Sequence, residues 1–149
     1  RWGEQRRWFA AEIARADVDP ALRGILVFGH HPPYTNSLVT SDEPDTEEAF
    51  ARPFRDSRRG LAFFSGHAHA YERFLVDGKT FVGAGGGGGP RVRLREGTNA
   101  RHPDLARGPS PRPFHYLLVN VKGSAVEIEV RGLDKGQTTV RSIDAFNLY

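Results

Sequence analysis

Ile25-Leu26-Val27-Phe28-Gly29-His30 and Leu61-Ala62-Phe63-Phe64-Ser65-Gly66-His67-Ala68-His69 are one construction made twice: four apolar residues, one or two small ones, then histidine. A continuous apolar run of this length, bounded by glycine, is the pattern of a strand buried on both faces in the middle of a sheet. Both runs stop abruptly at Gly-His, and the C-terminal edges of strands in α/β sheets are where ligand sites gather. The predicted class is therefore α/β, with histidines gathered beyond the ends of central strands.

Working outward, residues 3–16 predict an amphipathic helix, with Trp2, Phe9, Ile13 and Ala16 near one face and Trp8 beside them. Asp17 to Pro20 ends it, because proline cannot continue a helix and restrains the residue before it. Residues 32–46 form a loop rich in Pro, Ser, Thr and Asp, and a short helix follows over 46–51. Beyond the second histidine stretch the pattern turns antiparallel. Strands at 71–76 and 80–83 flank Asp77-Gly78, a strong hairpin dipeptide. Residues 85–89 are all glycine and predict a flexible loop bordering the site; 90–113 carry five prolines and read as a long functional or disordered loop. Two strands at 115–121 and 125–131 flank Lys122-Gly123-Ser124, with one face solvated in the alternating run from Val126 to Val130. Residues 138–148 supply a last strand.

Composition narrows the chemistry. The 149 residues include no cysteine, which excludes disulfides and thiolate ligands, so a metal would be held by His, Asp, Glu, Asn or backbone oxygens. The net charge of +3 comes from scattered arginines rather than a basic stripe, so nucleic acid is not an expected partner. No apolar stretch approaches the ~20 residues of a membrane span. The run from Gly83 to Gly88 matches Gly-x-Gly-x-x-Gly, but Pro90 and an arginine-rich segment follow it instead of a helix, so dinucleotide binding is rejected.

Neutral imidazole is a good ligand for Zn, Fe, Mn or Cu, and His67-Ala68-His69 offers two ring nitrogens within a short arc. The two residues would face opposite ways on a regular strand, whereas in a loop both can turn towards one place. His30, at the other Gly-His end, can approach the same spot. Glu72 and Arg73 follow closely; Arg73 is expected to pair with a carboxylate and hold the histidine loop from behind. His102 and His115 belong to no motif and read as surface or packing residues.

On these residues the chain resembles a known family. Gly29-His30-His31-Pro32-Pro33-Tyr34 and Gly66-His67-Ala68-His69-Ala70-Tyr71-Glu72-Arg73 look like two motifs of the calcineurin-like metallophosphoesterases, and His-x-His-x-Tyr-Glu-Arg is most similar to purple acid phosphatases. Gln5-x-x-Trp8-Phe9 and residues 81–86 support the likeness. The resemblance implies half of a four-layer αββα sandwich with mixed sheets, built around two metal ions (Fe, Zn or Mn). It implies hydrolysis of a phosphate-ester substrate with a metal-bound hydroxide as nucleophile. His30 and His67 would serve one ion and His69 the other, while His31 would line the pocket as a catalytic residue. His30 rather than His31 matches the family's His-x-Pro.

The family's acidic motifs are missing: none of the nine aspartates stands in an Asp-x-His or Gly-Asp pattern, and Gly-Asn-His is absent. Residues 1–149 are therefore expected to be the C-terminal part of a catalytic domain, inactive alone. A complementary N-terminal segment or chain would supply the Asp and Asn ligands and pack against Ile25–Phe28. The resemblance favours an extracytoplasmic location. Two other readings remain open: a mononuclear three-histidine Zn hydrolase on His30, His67 and His69, and a non-catalytic interaction domain.

Overall fold

The computed structural model describes residues 2–148. It has helix α1 (Trp2–Val18), strand β1 (Ile25–Phe28), helix α2 (Pro44–Thr46), a π-helical turn (Glu47–Ala51) running into α3 (Arg52–Asp56), and strands β2 (Gly60–Ser65), β3 (Tyr71–Val76) and β4 (Lys79–Ala84). A 3₁₀ turn (Gly97–Asn99) interrupts the long connection to β5 (Phe114–Lys122), β6 (Ala125–Leu133) and β7 (Arg141–Leu148). The class is α/β with two sheets. One has the order β1-β2-β4-β3 and is mixed; the other, β5-β6-β7, is antiparallel.

Strand alternation sorts the core into two layers. Val27, Phe63, Phe74 and Phe81 face the helices and pack with Phe9, Ile13, Ala51 and Phe54. Ala62, Phe64, Tyr71 and Val82 face the second sheet and pack on Val126, Ile128, Val130 and Leu148. Phe54 meets Phe63 and Phe81 edge-on at 5.8 and 5.6 Å, a geometry that adds about 1 kcal/mol beyond burial. Gly60 permits this approach: a Cβ there would lie 2.8 Å from the Phe54 carbonyl oxygen. At Asp77-Gly78 both residues take positive φ (50° and 75°), the backbone a two-residue hairpin needs to match strand twist.

Three expectations change. Among the described residues β1 lies at the sheet edge rather than between two neighbours, and Phe28 is 70% exposed, stacked on Phe64 at 4.9 Å. A four-residue apolar run looks the same at an edge as in the middle, because the missing neighbour leaves no trace in the run itself. The chain after residue 71 is only partly antiparallel, since β4 pairs parallel with β2 and antiparallel with β3. Residues 90–113 are held rather than disordered. Ser37 and Leu94 form a β-bridge, and Arg101 donates side-chain hydrogen bonds to the carbonyls of Thr35, Ser37 and Thr40. Among the described residues no helix is long and apolar enough to cross a membrane.

Candidate metal centre

Parallel pairing explains why the repeated Gly-His matters. β1 and β2 run side by side with Phe28 opposite Phe64, so both strands end at the same edge. The ladder continues past the strands: Gly29 N donates to Phe64 O (2.9 Å) and Gly66 N to His30 O (2.9 Å). His30 and His67 are thereby neighbours across 37 residues of sequence. His30 Nε2 lies 3.2 Å from His67 Nδ1, and one ring nitrogen from each of His30, His31 and His67 falls within 4.8 Å of the others.

The loop 66–70 carries the local device that aims these rings. Ala68 N donates to Gly66 O (2.6 Å) and Ala70 N to Ala68 O (2.7 Å), so each histidine is the centre of its own three-residue turn. His67 takes positive φ (58°), a conformation costing a non-glycine residue about 1 kcal/mol, whereas His69 does not. Turns of opposite hand send the rings apart. His67 joins His30 and His31, while His69 Nδ1 lies 3.0 Å from Pro90 O. His69 is not part of the triad; His31, assigned to the pocket on sequence, is.

Within the glycine run, Gly85, Gly86 and Gly89 are closely packed, while Gly87 and Gly88 face open space. A Cβ on Gly85 would lie 2.0 Å from Ala68 O, and one on Gly89 would lie 2.4 Å from the His69 ring. Gly86 exchanges hydrogen bonds with His115: its N–H donates to Nε2 (3.3 Å), and its carbonyl accepts from the His115 N–H (3.0 Å). His115 is buried, which pushes its imidazole below the ordinary value and favours the neutral acceptor that Gly86 needs.

Behind the site, Arg73 does pair with a carboxylate, but with Asp144 of β7 (Nε to Oδ2 2.9 Å). Asp144 Oδ2 also accepts from the Tyr71 hydroxyl (2.7 Å), so the pair fastens sheet to sheet rather than holding the histidine loop. Glu72 takes the other direction. It is fully buried; Oε2 accepts from Thr35 Oγ1 (2.6 Å) and Oε1 from Asn36 N (2.7 Å). Burial is the main cause that pushes its carboxyl up to about 7, against the pull of these two donors. His102 is half-buried and bonded to Asp42 (2.8 Å), a contact across 60 residues that no local pattern announces.

The three histidines could hold a metal ion. Zn–N distances of ~2.0–2.1 Å with tetrahedral angles place two ligand nitrogens ~3.3 Å apart, which the 3.2 Å between His30 and His67 matches. All three rings are exposed, leaving them room to rotate onto one ion and leaving further coordination positions open. Beside them a groove of about 430 Å³ runs along α1 and the β1 edge, lined by Trp2, Trp8, Phe28, His30 and His31.

No protein-family model matches the chain, and no curated protein matches it. Among solved structures, wild-type Vps29 complexed with Zn²⁺ from Entamoeba histolytica is similar at 20% identity and a TM-score of 0.41. The match covers 80% of this chain and 52% of that one, so the chain spans about half the length of that structure.

Proposed function

We propose that this chain is the histidine-bearing, C-terminal part of a metal-dependent phosphoesterase. The observation that carries the reading is the triad of His30, His31 and His67 at the shared edge of two parallel strands, with nitrogens close enough for one ion. His30 and His67 would hold that ion, with His31 beside them to bind it or to meet the substrate phosphate. His69 would serve a second ion on the far side of the loop. A bound divalent or trivalent ion would supply charge neutralisation at the phosphoryl oxygens. The chain's own residues orient the ligands: the β1–β2 ladder fixes His30, and the opposed turns divide His67 from His69.

The acidic ligands would come from a complementary segment or chain. The open β1 edge, where Phe28 and Trp8 are exposed beside the groove, supports that part of the reading. A mononuclear site is the second reading, favoured by the same triad, since three imidazoles at one point and His69 elsewhere suit a single ion.

The test begins with Zn²⁺, Mn²⁺ and Fe²⁺ titrated into the 149-residue chain, followed by phosphate release from a chromogenic ester. We expect Zn²⁺ to bind and His30→Ala or His67→Ala to abolish binding, with negligible turnover. Metal-dependent turnover by this chain alone would reject the need for a complementary segment. Absence of binding with the fold intact would reject the metal reading.

A further inference from the structure

We infer that Glu72 is a positioning residue that locks the two histidine-bearing loops together, an inference that rests on the metal-binding reading of His30, His31 and His67. Glu72 begins its work three residues after His69 and five after His67, on β3. Its two oxygens are spent on Thr35 and Asn36, four and five residues after His31. One side chain thus ties the segment leaving His31 to the strand that receives His67 and His69. Asn36 extends the tie to a third segment, its Oδ1 accepting from Arg101 N (2.7 Å) and His102 N (3.0 Å) and its Nδ2 donating to His102 O (2.9 Å).

A buried carboxylate is an expensive way to fill space, and an apolar residue would pack at less cost. Its use here follows from the two donors it meets. The Thr35 hydroxyl and the Asn36 amide are themselves buried, and without an acceptor each would lose about 1–3 kcal/mol. Neighbouring charges do not take this role: Arg73 points to the opposite face and Asp144, while Asp104 accepts from Arg73 N, Ala106 N and Arg112 Nη2. Glutamine keeps the acceptor for Asn36 N and reverses the other bond, its amide donating to Thr35 Oγ1, so both segments stay tied although the hydroxyl hydrogen gives up this acceptor. Alanine reproduces neither, and Thr35→Val keeps the volume while removing the donor to Glu72 together with the acceptor of Ser37 N (3.0 Å).

The experiment compares Glu72→Gln, Glu72→Ala and Thr35→Val in the 149-residue chain. Zn²⁺ affinity is measured by competition with a chromophoric chelator, and the metal-free His31–His67 ring contact by NMR. By analogy with other outer-sphere changes, Glu72→Ala and Thr35→Val should weaken Zn²⁺ ~10–100-fold while Glu72→Gln stays near wild type. The ring contact, with centroids 4.8 Å apart, should persist in Glu72→Gln and fade in the other two. Folded Glu72→Ala with wild-type affinity overturns the inference. Should Glu72→Ala fail to fold, Thr35→Val decides in the same way. If wild type binds no Zn²⁺, the functional reading falls; the positioning role then stands or falls on whether Thr35→Val loses the ring contact.

Discussion

Gly85→Ala is the sharpest perturbation available at this site. The new Cβ would sit 2.0 Å from Ala68 O, 2.8 Å from Ala68 C and 3.3 Å from His69 Cα, all backbone atoms that no rotamer change can move aside. Bringing the first contact to a tolerable 3.0 Å requires a displacement of about 1 Å, borne by the peptide between His67 and His69. Overpacking of this kind costs ~1–3 kcal/mol, and a ligand shifted by ~1 Å can forfeit ~100-fold in function. The control lies two residues on: a Cβ on Gly87 would meet nothing within 4 Å. Thermal unfolding and Zn²⁺ competition on Gly85→Ala and Gly87→Ala separate the effects. We expect Gly87→Ala to match wild type and Gly85→Ala to melt lower and bind Zn²⁺ at least tenfold more weakly. Equal affinity in the two variants would refute the claim that the glycine run buttresses the histidine loop.

Glu72 should give stability a pH dependence. The folded chain holds the Glu72 proton more tightly than the unfolded chain, since burial raises the carboxyl from 4.5 to about 7. Its contribution is complete below pH about 4.5 and lost as pH rises through about 7, a change of order 3 kcal/mol. Urea unfolding of Glu72→Gln, compared with wild type across that window, should lack this component; parallel pH profiles would contradict it. Asp144→Ala strands both Arg73 and the Tyr71 hydroxyl between the sheets and should cost about 3 kcal/mol by the same urea assay. Phe54→Ala removes a fully buried ring from the helix-facing core and should cost ~3–5 kcal/mol, while Phe28→Ser, at a ring 70% exposed, should leave the chain nearly as stable; a large loss there would mean Phe28 is covered in solution.

Much of the fold was legible in the chain because local physics sets it. Asp77-Gly78 announced its hairpin, since few other dipeptides take positive φ twice at low cost, and the strand bounds 71–76 match those observed. The helix expected over 3–16 extends to Trp2–Val18, a drift of one or two residues at the ends, where capping rather than periodicity decides. The run at Ile25–Phe28 was read as a strand and is one. Its place at the sheet edge was not legible, because edge and centre differ by a neighbour and not by the run itself.

For the candidate site, the sequence by itself singled out the residues to consider: histidines after glycine at the ends of two apolar strands, with no cysteine to compete. Only the tertiary structure decided which of them meet. Parallel register of β1 and β2 joins His30 to His67, and opposed turn hands at residues 67 and 69 separate two histidines that are next-but-one in the chain. The glycine run was visible as glycine but not as a wall against Ala68 and His69, and Glu72 was visible as an acid but not as the acceptor for Thr35 and Asn36. Contacts of this kind span tens of residues and depend on distances of a few tenths of an ångström. Local propensity carries no record of them, because they are fixed only when the strands have paired and the loops have closed over their ends.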